Sequence, residues 1–236
     1  MKKLKKLVIA NLVCTLTLFI FVLVLFLTIV VNPDNFFTKN KLEASVDKYV
    51  SDEDKEENYV FLGDSITHYF NINDLYESNI SFINSGENGN KVENLFDRLQ
   101  ESVYKYNPKK IFLLIGINDL NNEKNDINKV YEEIVDLVVT LENNTNAQIY
   151  LESIYPVNNS KEIDNNRTFN RNNKDVRLVN EKLEDYCENE GYVTYINVYN
   201  ELIDEDGNLK MKYTTDGLHL NTLGYVKVTK VLSKYL

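Results

Sequence analysis

Tyr59-Val60-Phe61-Leu62-Gly63-Asp64-Ser65-Ile66-Thr67 is the stretch that decides how this chain folds. An apolar, β-rich run stops abruptly at Gly63-Asp64-Ser65, and helix-compatible sequence follows. The run before Gly63 is continuous rather than alternating, the pattern of a strand buried on both faces. Gly63 permits a sharp turn. Ser65 is then expected at or near a helix N-terminus, where backbone N–H groups point outward. This is how an α/β protein presents a serine at the carboxyl end of a strand, the edge at which open parallel sheets bind ligands.

Downstream, strand-like and helix-like segments alternate. Strands are expected over 59–62, 80–84, 110–115, 148–154 and 193–198. Helices are expected over about 91–104, 125–141, 175–190 and 222–235. In the second of these, Ile127, Val130, Ile134, Leu137, Val138 and Leu141 have the three-and-four spacing of a one-sided apolar stripe. Repeated β-α units imply a parallel sheet covered on both faces. Right-handed crossovers then favour a doubly wound, flavodoxin-like order, with the catalytic unit running from 59 to 236. Residues 157–174 form a polar loop after the fourth strand carrying Arg167, Phe169 and Arg171. It is expected either to face a substrate or to be disordered.

The front of the chain is different. Residues 1–6 are basic, and 7–31 carry no charge. At 1.5 Å per residue that run reaches roughly 37 Å, enough to cross a hydrocarbon core of about 30 Å. It lacks a small-residue cleavage site, so the expectation is a single transmembrane signal-anchor rather than a removed leader. The lysines before it place the N-terminus in the cytoplasm and the rest of the chain outside. Residues 32–58 read as a linker with a short helix near 41–50 and an acidic stretch at 51–58. Cys14 lies in the apolar run and Cys187 far downstream, so no disulfide is expected.

The chain carries 26 basic and 36 acidic residues, a net charge of −10. Without Lys2, Lys3, Lys5 and Lys6 the remainder holds 22 basic against 36 acidic residues, or −14. Phosphate contacts need clustered Lys and Arg, so nucleic acid is excluded as a partner. A neutral or cationic substrate fits better. With two histidines and no Cys pair, no zinc set and no cofactor are expected.

Four short blocks fall at strand ends or just before the last helix: Gly63-Asp64-Ser65, Asn84 to Gly89, Gly116-Ile117-Asn118-Asp119, and Asp216-Gly217-Leu218-His219. In an open parallel sheet these ends converge on one crevice. Ser65 reads as a nucleophile and His219 as the base that accepts its proton. Asp216, three residues earlier, would orient the imidazole. The N–H groups of Ser65 and Gly89 and the side-chain amide of Asn118 would form an oxyanion hole, where one donor is typically worth about 3–4 kcal/mol. Asp64 and Asp119 read as turn-holding residues, and His68 as a surface or packing residue. Tyr69, Phe70 and Tyr155 lie near expected strand ends. The order Ser…Asp…His is that of a serine hydrolase, but no Gly-x-Ser-x-Gly elbow is present.

From about Tyr59 to the C-terminus these four blocks, in this order, resemble the SGNH (GDSL) hydrolases and their bacterial lipase/acylhydrolases. The resemblance implies a three-layer α/β/α fold and metal-independent ester hydrolysis through an acyl-enzyme. The family's donor glycine falls five residues after the block-two asparagine, which implies Gly89, with Gly86 as its competitor. The expected substrate is a short-chain ester, acetyl above all, on an extracytoplasmic carbohydrate or envelope polymer. Alternatives are a lysophospholipase- or thioesterase-type lipid acylhydrolase, an O-acyltransferase, or a non-catalytic binding domain.

Overall fold

In the computed structural model the described residues are 57–76, 80–164 and 166–236, and they belong to one compact unit that begins at Glu56. The expected basic tail, transmembrane anchor and linker helix lie outside the described residues. Among the described residues no helix is long and apolar enough to cross a membrane.

Five parallel strands form one sheet. They are β1 (Asn58–Gly63), β2 (Ser81–Gly86), β3 (Lys110–Leu114), β4 (Gln148–Glu152) and β5 (Val193–Ile196). Their order is β2-β1-β3-β4-β5, the flavodoxin-like arrangement whose reversal of direction at β1 and β3 opens a crevice at the strand ends. The helices are α1 (Ser65–His68), α2 (Ile72–Leu75), α3 (Val92–Ser102), α4 (Ile127–Asn144), α5 (Asn173–Glu190), α6 (Tyr199–Leu202) and α7 (Thr222–Leu232). α4 packs between α3 and α5, while α7 packs with α2 and α6. The result is the expected three-layer α/β/α sandwich.

The continuous apolar runs are what make the sheet central. Every β1 residue after Asn58 is buried. On one face Phe61 stacks on Phe112 at 4.6 Å between ring centroids, and Phe112 stacks on Tyr150 at 4.8 Å. These three are direct neighbours in the β1–β3–β4 register, so ring packing adds to area burial across the sheet. The α4 stripe behaves as its spacing predicts: Val130, Ile134, Leu137, Val138 and Leu141 are all buried. Side-chain oxygens start the long helices. Asp126 accepts from Lys129 N, Asn172 from Asp175 N and Asn221 from Gly224 N, each satisfying an N–H that the helix itself cannot.

The register sets the edge at which the blocks meet. Gly63 at the end of β1 pairs with Gly86 of β2 and Leu114 of β3, so three of the four sequence blocks leave the sheet side by side.

The polar loop after β4 is ordered by hydrogen bonds, and it includes an exposed residue in an unfavourable conformation. Phe169 has φ +49, a left-handed geometry that costs a side-chain-bearing residue roughly 1–2 kcal/mol. Glycine at this position removes that strain and adds about 0.5–1 kcal/mol of unfolded-chain entropy. Phe169→Gly should therefore leave the melting temperature unchanged or raise it by up to about 4 °C. A clear drop in a thermal melt would show that the ring is a stabilising contact instead.

Candidate active site

Block one is built by capping. Asp64 is the N-cap of α1, and its Oδ1 accepts the N–H of Ile66 at 2.9 Å. Ser65 is therefore the first residue of a single helical turn, and its N–H has no acceptor within the helix. Block two presses against this turn. Asn84 Nδ2 donates to the carbonyls of Thr67 at 2.7 Å and Phe70 at 2.9 Å. A Cβ on Gly86 would lie 2.2 Å from His68 N, so only glycine permits that approach. Tyr225 of α7 holds the other side, donating to Ile66 O at 2.7 Å and stacking on Phe70.

Block four supplies the imidazole. Thr214 and Leu220 close its loop as an antiparallel bridge. Asp216 Oδ1 accepts from the N–H groups of Leu218 at 3.0 Å and His219 at 2.8 Å, while Oδ2 lies 2.7 Å from His219 Nδ1. Burial alone would raise the Asp216 carboxyl; the bonds from the His219 ring and these two amides outweigh it and hold the carboxyl below its ordinary value. An ionised carboxylate only accepts, so the proton between them belongs to Nδ1. In the neutral imidazole Nε2 is then the acceptor, 3.0 Å from Ser65 Oγ. The three expected residues thus form one hydrogen-bonded chain across 154 positions of sequence.

Gly89 sits in the exposed turn after β2 with φ +76, and nothing lies within 4 Å of where its Cβ would be. Its competitor Gly86 has its N–H committed to Asn84 Oδ1 at 2.9 Å. Asn118 Nδ2 donates to Asn90 O at 2.9 Å, which ties block three to the turn that carries Gly89. Asp119 Oδ1 accepts the N–H of Val92 at the start of α3, a structural position. His68 is exposed, with Nδ1 donating to Gly86 O at 3.1 Å. Tyr69 is 51% exposed, and its ring meets that of His219 edge-on at 5.5 Å, so it borders the site. Phe70 and Tyr155 are core residues.

Two arginines organise the site in ways the sequence reading did not anticipate. Arg98 ties block one to the turn that follows block two, with Nη2 on Gly63 O at 2.9 Å and Nε on Asn90 Oδ1 at 2.8 Å. Its spacing carried a signal, because it lies three residues after buried Leu95 and four before buried Ser102. Arg171, expected in a substrate-facing loop, is 5% exposed and donates inward to Asn118 Oδ1 at 2.7 Å and Ile117 O at 2.8 Å. The same loop grips block four, with Arg167 N on Asp216 O and Asn158 N on Gly217 O, both at 2.8 Å. Among the described residues no group of three or more His, Cys, Asp or Glu side chains is placed to hold a metal ion.

Beneath the site lie acids with little solvent. Burial pushes the carboxyls of Asp64 and Glu152 up to about 7 and that of Asp119 up to about 6. Bonds from Ile66 N–H, the Tyr155 hydroxyl and Val92 N–H, respectively, oppose these shifts. A raised carboxyl means that the folded chain holds protons the unfolded chain has released above about pH 4. Stability should therefore fall as pH rises from about 4 to about 7 and level off above that. Asp216 acts in the opposite sense. Its stabilisation is present above its unfolded pKa and disappears as pH falls through the lower folded value. The urea midpoint is expected to be higher at pH 5 than at pH 8, with Glu152→Gln reducing the difference. A midpoint that climbs steadily from pH 5 to pH 8 would contradict this assignment.

The model of the GDSL-like Lipase/Acylhydrolase family matches residues 61–227. The structure of a Streptococcus pneumonia protein assigned as a platelet activating factor superposes with a TM-score of 0.71 at 29% identity, covering 87% of this chain and 97% of that one. A GDSL-like lipase from Bacteroides thetaiotaomicron is similar in fold, with a TM-score of 0.64, 20% identity, and coverage of 84% and 97%. So is an acetylxylan esterase from Geobacillus stearothermophilus, with a TM-score of 0.59, 15% identity, and coverage of 75% and 93%. The N-acylneuraminate cytidylyltransferase of Escherichia coli O18:K1:H7 is 25% identical over 176 residues, 73% of this chain, which spans 38% of that relative's length. Family match, sheet order and the four blocks agree: the chain belongs to the GDSL-like lipase/acylhydrolase family of SGNH hydrolases.

Proposed function

We propose that Ser65, His219 and Asp216 form the catalytic triad of a serine esterase that removes short acyl groups, acetyl above all, from carbohydrate or envelope polymer outside the cell. The observation that carries the mechanism is the continuous chain Ser65 Oγ–His219 Nε2 at 3.0 Å and His219 Nδ1–Asp216 Oδ2 at 2.7 Å. Ser65 Oγ attacks the ester carbonyl as Nε2 takes its proton. Asp216 stabilises the imidazolium that results. The N–H groups of Ser65 and Gly89 and one N–H of Asn118 receive the negative charge developing on the carbonyl oxygen. The intermediate collapses and His219 protonates the departing alcohol. Water, activated by the same imidazole, then cleaves the acyl-enzyme and restores the Ser65 hydroxyl.

The substrate half of the proposal rests on other features. Tyr69 beside His219 and the exposed Phe169 offer aromatic faces of the kind on which sugar rings pack. The strong negative charge disfavours polyanions. The names of two similar proteins, the acetylxylan esterase and the N-acylneuraminate cytidylyltransferase, both specify a carbohydrate. The name of the Streptococcus pneumonia neighbour favours a lipid ester as the second reading. The uncharged run 7–31 would hold the enzyme at the outer face of the membrane, within reach of an envelope polymer.

With the full-length chain and p-nitrophenyl esters of increasing length, kcat/KM should be highest on acetate. Ser65→Ala should lower kcat by about 10⁴-fold or more. Rates that climb with chain length would move the substrate to lipid, and turnover that survives Ser65→Ala would overturn the mechanism. Fractionation of expressing cells tests the location. The full-length chain should stay with carbonate-washed membranes and be open to protease from outside, and deletion of residues 1–40 should release it. Recovery of the intact chain in the soluble fraction would refute the anchor.

A further inference from the structure

We infer that Arg171 is a positioning residue for the reaction, fixing which face of the Asn118 amide is presented to the oxyanion. The inference rests on the serine-esterase reading. An asparagine side chain has nearly the same shape in its two flipped orientations, but only Nδ2 can donate to an oxyanion. Something must hold the amide one way.

The structure assigns that task to both ends of the amide. A guanidinium has donors and no acceptor, so the atom facing Arg171 Nη2 at 2.7 Å must be Oδ1. On the other side Nδ2 gives one proton to Asn90 O at 2.9 Å and keeps a second. A flip would set the amide nitrogen against the guanidinium and Oδ1 against the Asn90 carbonyl, two repulsive contacts in place of two bonds. Arg171 cannot adjust to such a flip. It is 5% exposed, with Nε on Ile117 O at 2.8 Å and Nη1 shared between the carbonyls of Arg167 and Thr168 at 3.3 Å each. A charge-assisted bond to Oδ1 also draws electron density from the amide, making the remaining Nδ2–H a stronger donor. Both effects favour the transition state over the bound ester, so they act on kcat and leave KM nearly unchanged.

A double-mutant cycle in the full-length chain separates this role from simple scaffolding. The variants are Arg171→Lys, Asn118→Ala and the pair together, assayed on p-nitrophenyl acetate. Lysine keeps the charge but loses the planar fork. Arg171→Lys should lower kcat by about 10-fold, part of the 10²–10³ that an oxyanion donor supplies, with KM changed by less than about twofold. In the Asn118→Ala background the same substitution should change kcat by less than about twofold, because its target is gone. Losses that multiply in the pair, a loss confined to KM, or an Asn118→Ala variant with unaltered kcat would overturn the inference. A second measurement needs no substitution at Arg171. In the unaltered chain the Asn118 side-chain amide should be as rigid as backbone, with an NMR order parameter above about 0.7; a lower value would also overturn it. Ser65→Ala assayed alongside keeps the two questions apart, since loss of turnover there upholds the esterase mechanism whatever the cycle returns.

Discussion

The catalytic edge depends on how β1 ends. The carbonyl of Gly63 is the last of the strand, and it accepts Glu87 N at 3.1 Å and Arg98 Nη2 at 2.9 Å. One acceptor therefore joins strand β1, the loop that carries Gly89 and helix α3. One residue later Asp64 turns the chain into α1, and two later Ser65 faces His219. Any displacement of the Gly63 carbonyl would move the serine and the block-two turn together. Parallel strand ends leave their terminal carbonyls without sheet partners. Here one of those carbonyls becomes the joint on which the site is hung.

The arrangement costs the fold something. Asp64 is fully buried, and its Oδ2 has no hydrogen-bond partner among the described residues. Glu152 and Tyr155 are buried against each other, with burial raising both groups, the tyrosine well above its usual range. An apolar core of the same volume would be cheaper to form. Buried acids nevertheless give short, directional anchors for an edge made of loops, and the core supplied by the stacked Phe61–Phe112–Tyr150 face can carry them.

The two levels were legible to different degrees. Strands and helices were readable because each is a dense apolar run or stripe, and block residues because each sits where such a run stops. The ends of β1 and β2 were read slightly short, whereas those of β4 and β5 were read too long for a specific reason. β4 stops at Glu152 because Ile154 N is taken by Asn180 Oδ1 at 2.8 Å. β5 stops at Ile196 because Val198 N folds back onto Ile196 O. Side-chain capture of a backbone amide leaves no trace in hydropathy. Arg171 was hidden for a related reason. Its partner Asn118 is 53 residues away, and a polar loop has no periodicity to show which of its charges points inward. Arg98 was nearer to legible, since a helix imposes a face on every residue.

The loop after β4 explains why Phe169 keeps an unfavourable backbone. Before it, Arg167 N is fixed on Asp216 O and Thr168 lies against the Gly217 turn. After it, Asn170 N is fixed on Asn121 Oδ1 and Arg171 on Asn118. The chain must reverse between these anchors, and the Arg171 N to Thr168 O bond at 3.0 Å closes the turn. Phe169 is the second residue of this four-residue turn, and its positive φ is the sign the primed turn types carry at that position. The strained residue lies in one short segment that serves two parts of the site, the carboxylate that holds His219 and the side-chain amide of Asn118. Because both ends are pinned, the acid–imidazole pair and the Asn118 amide keep a common frame.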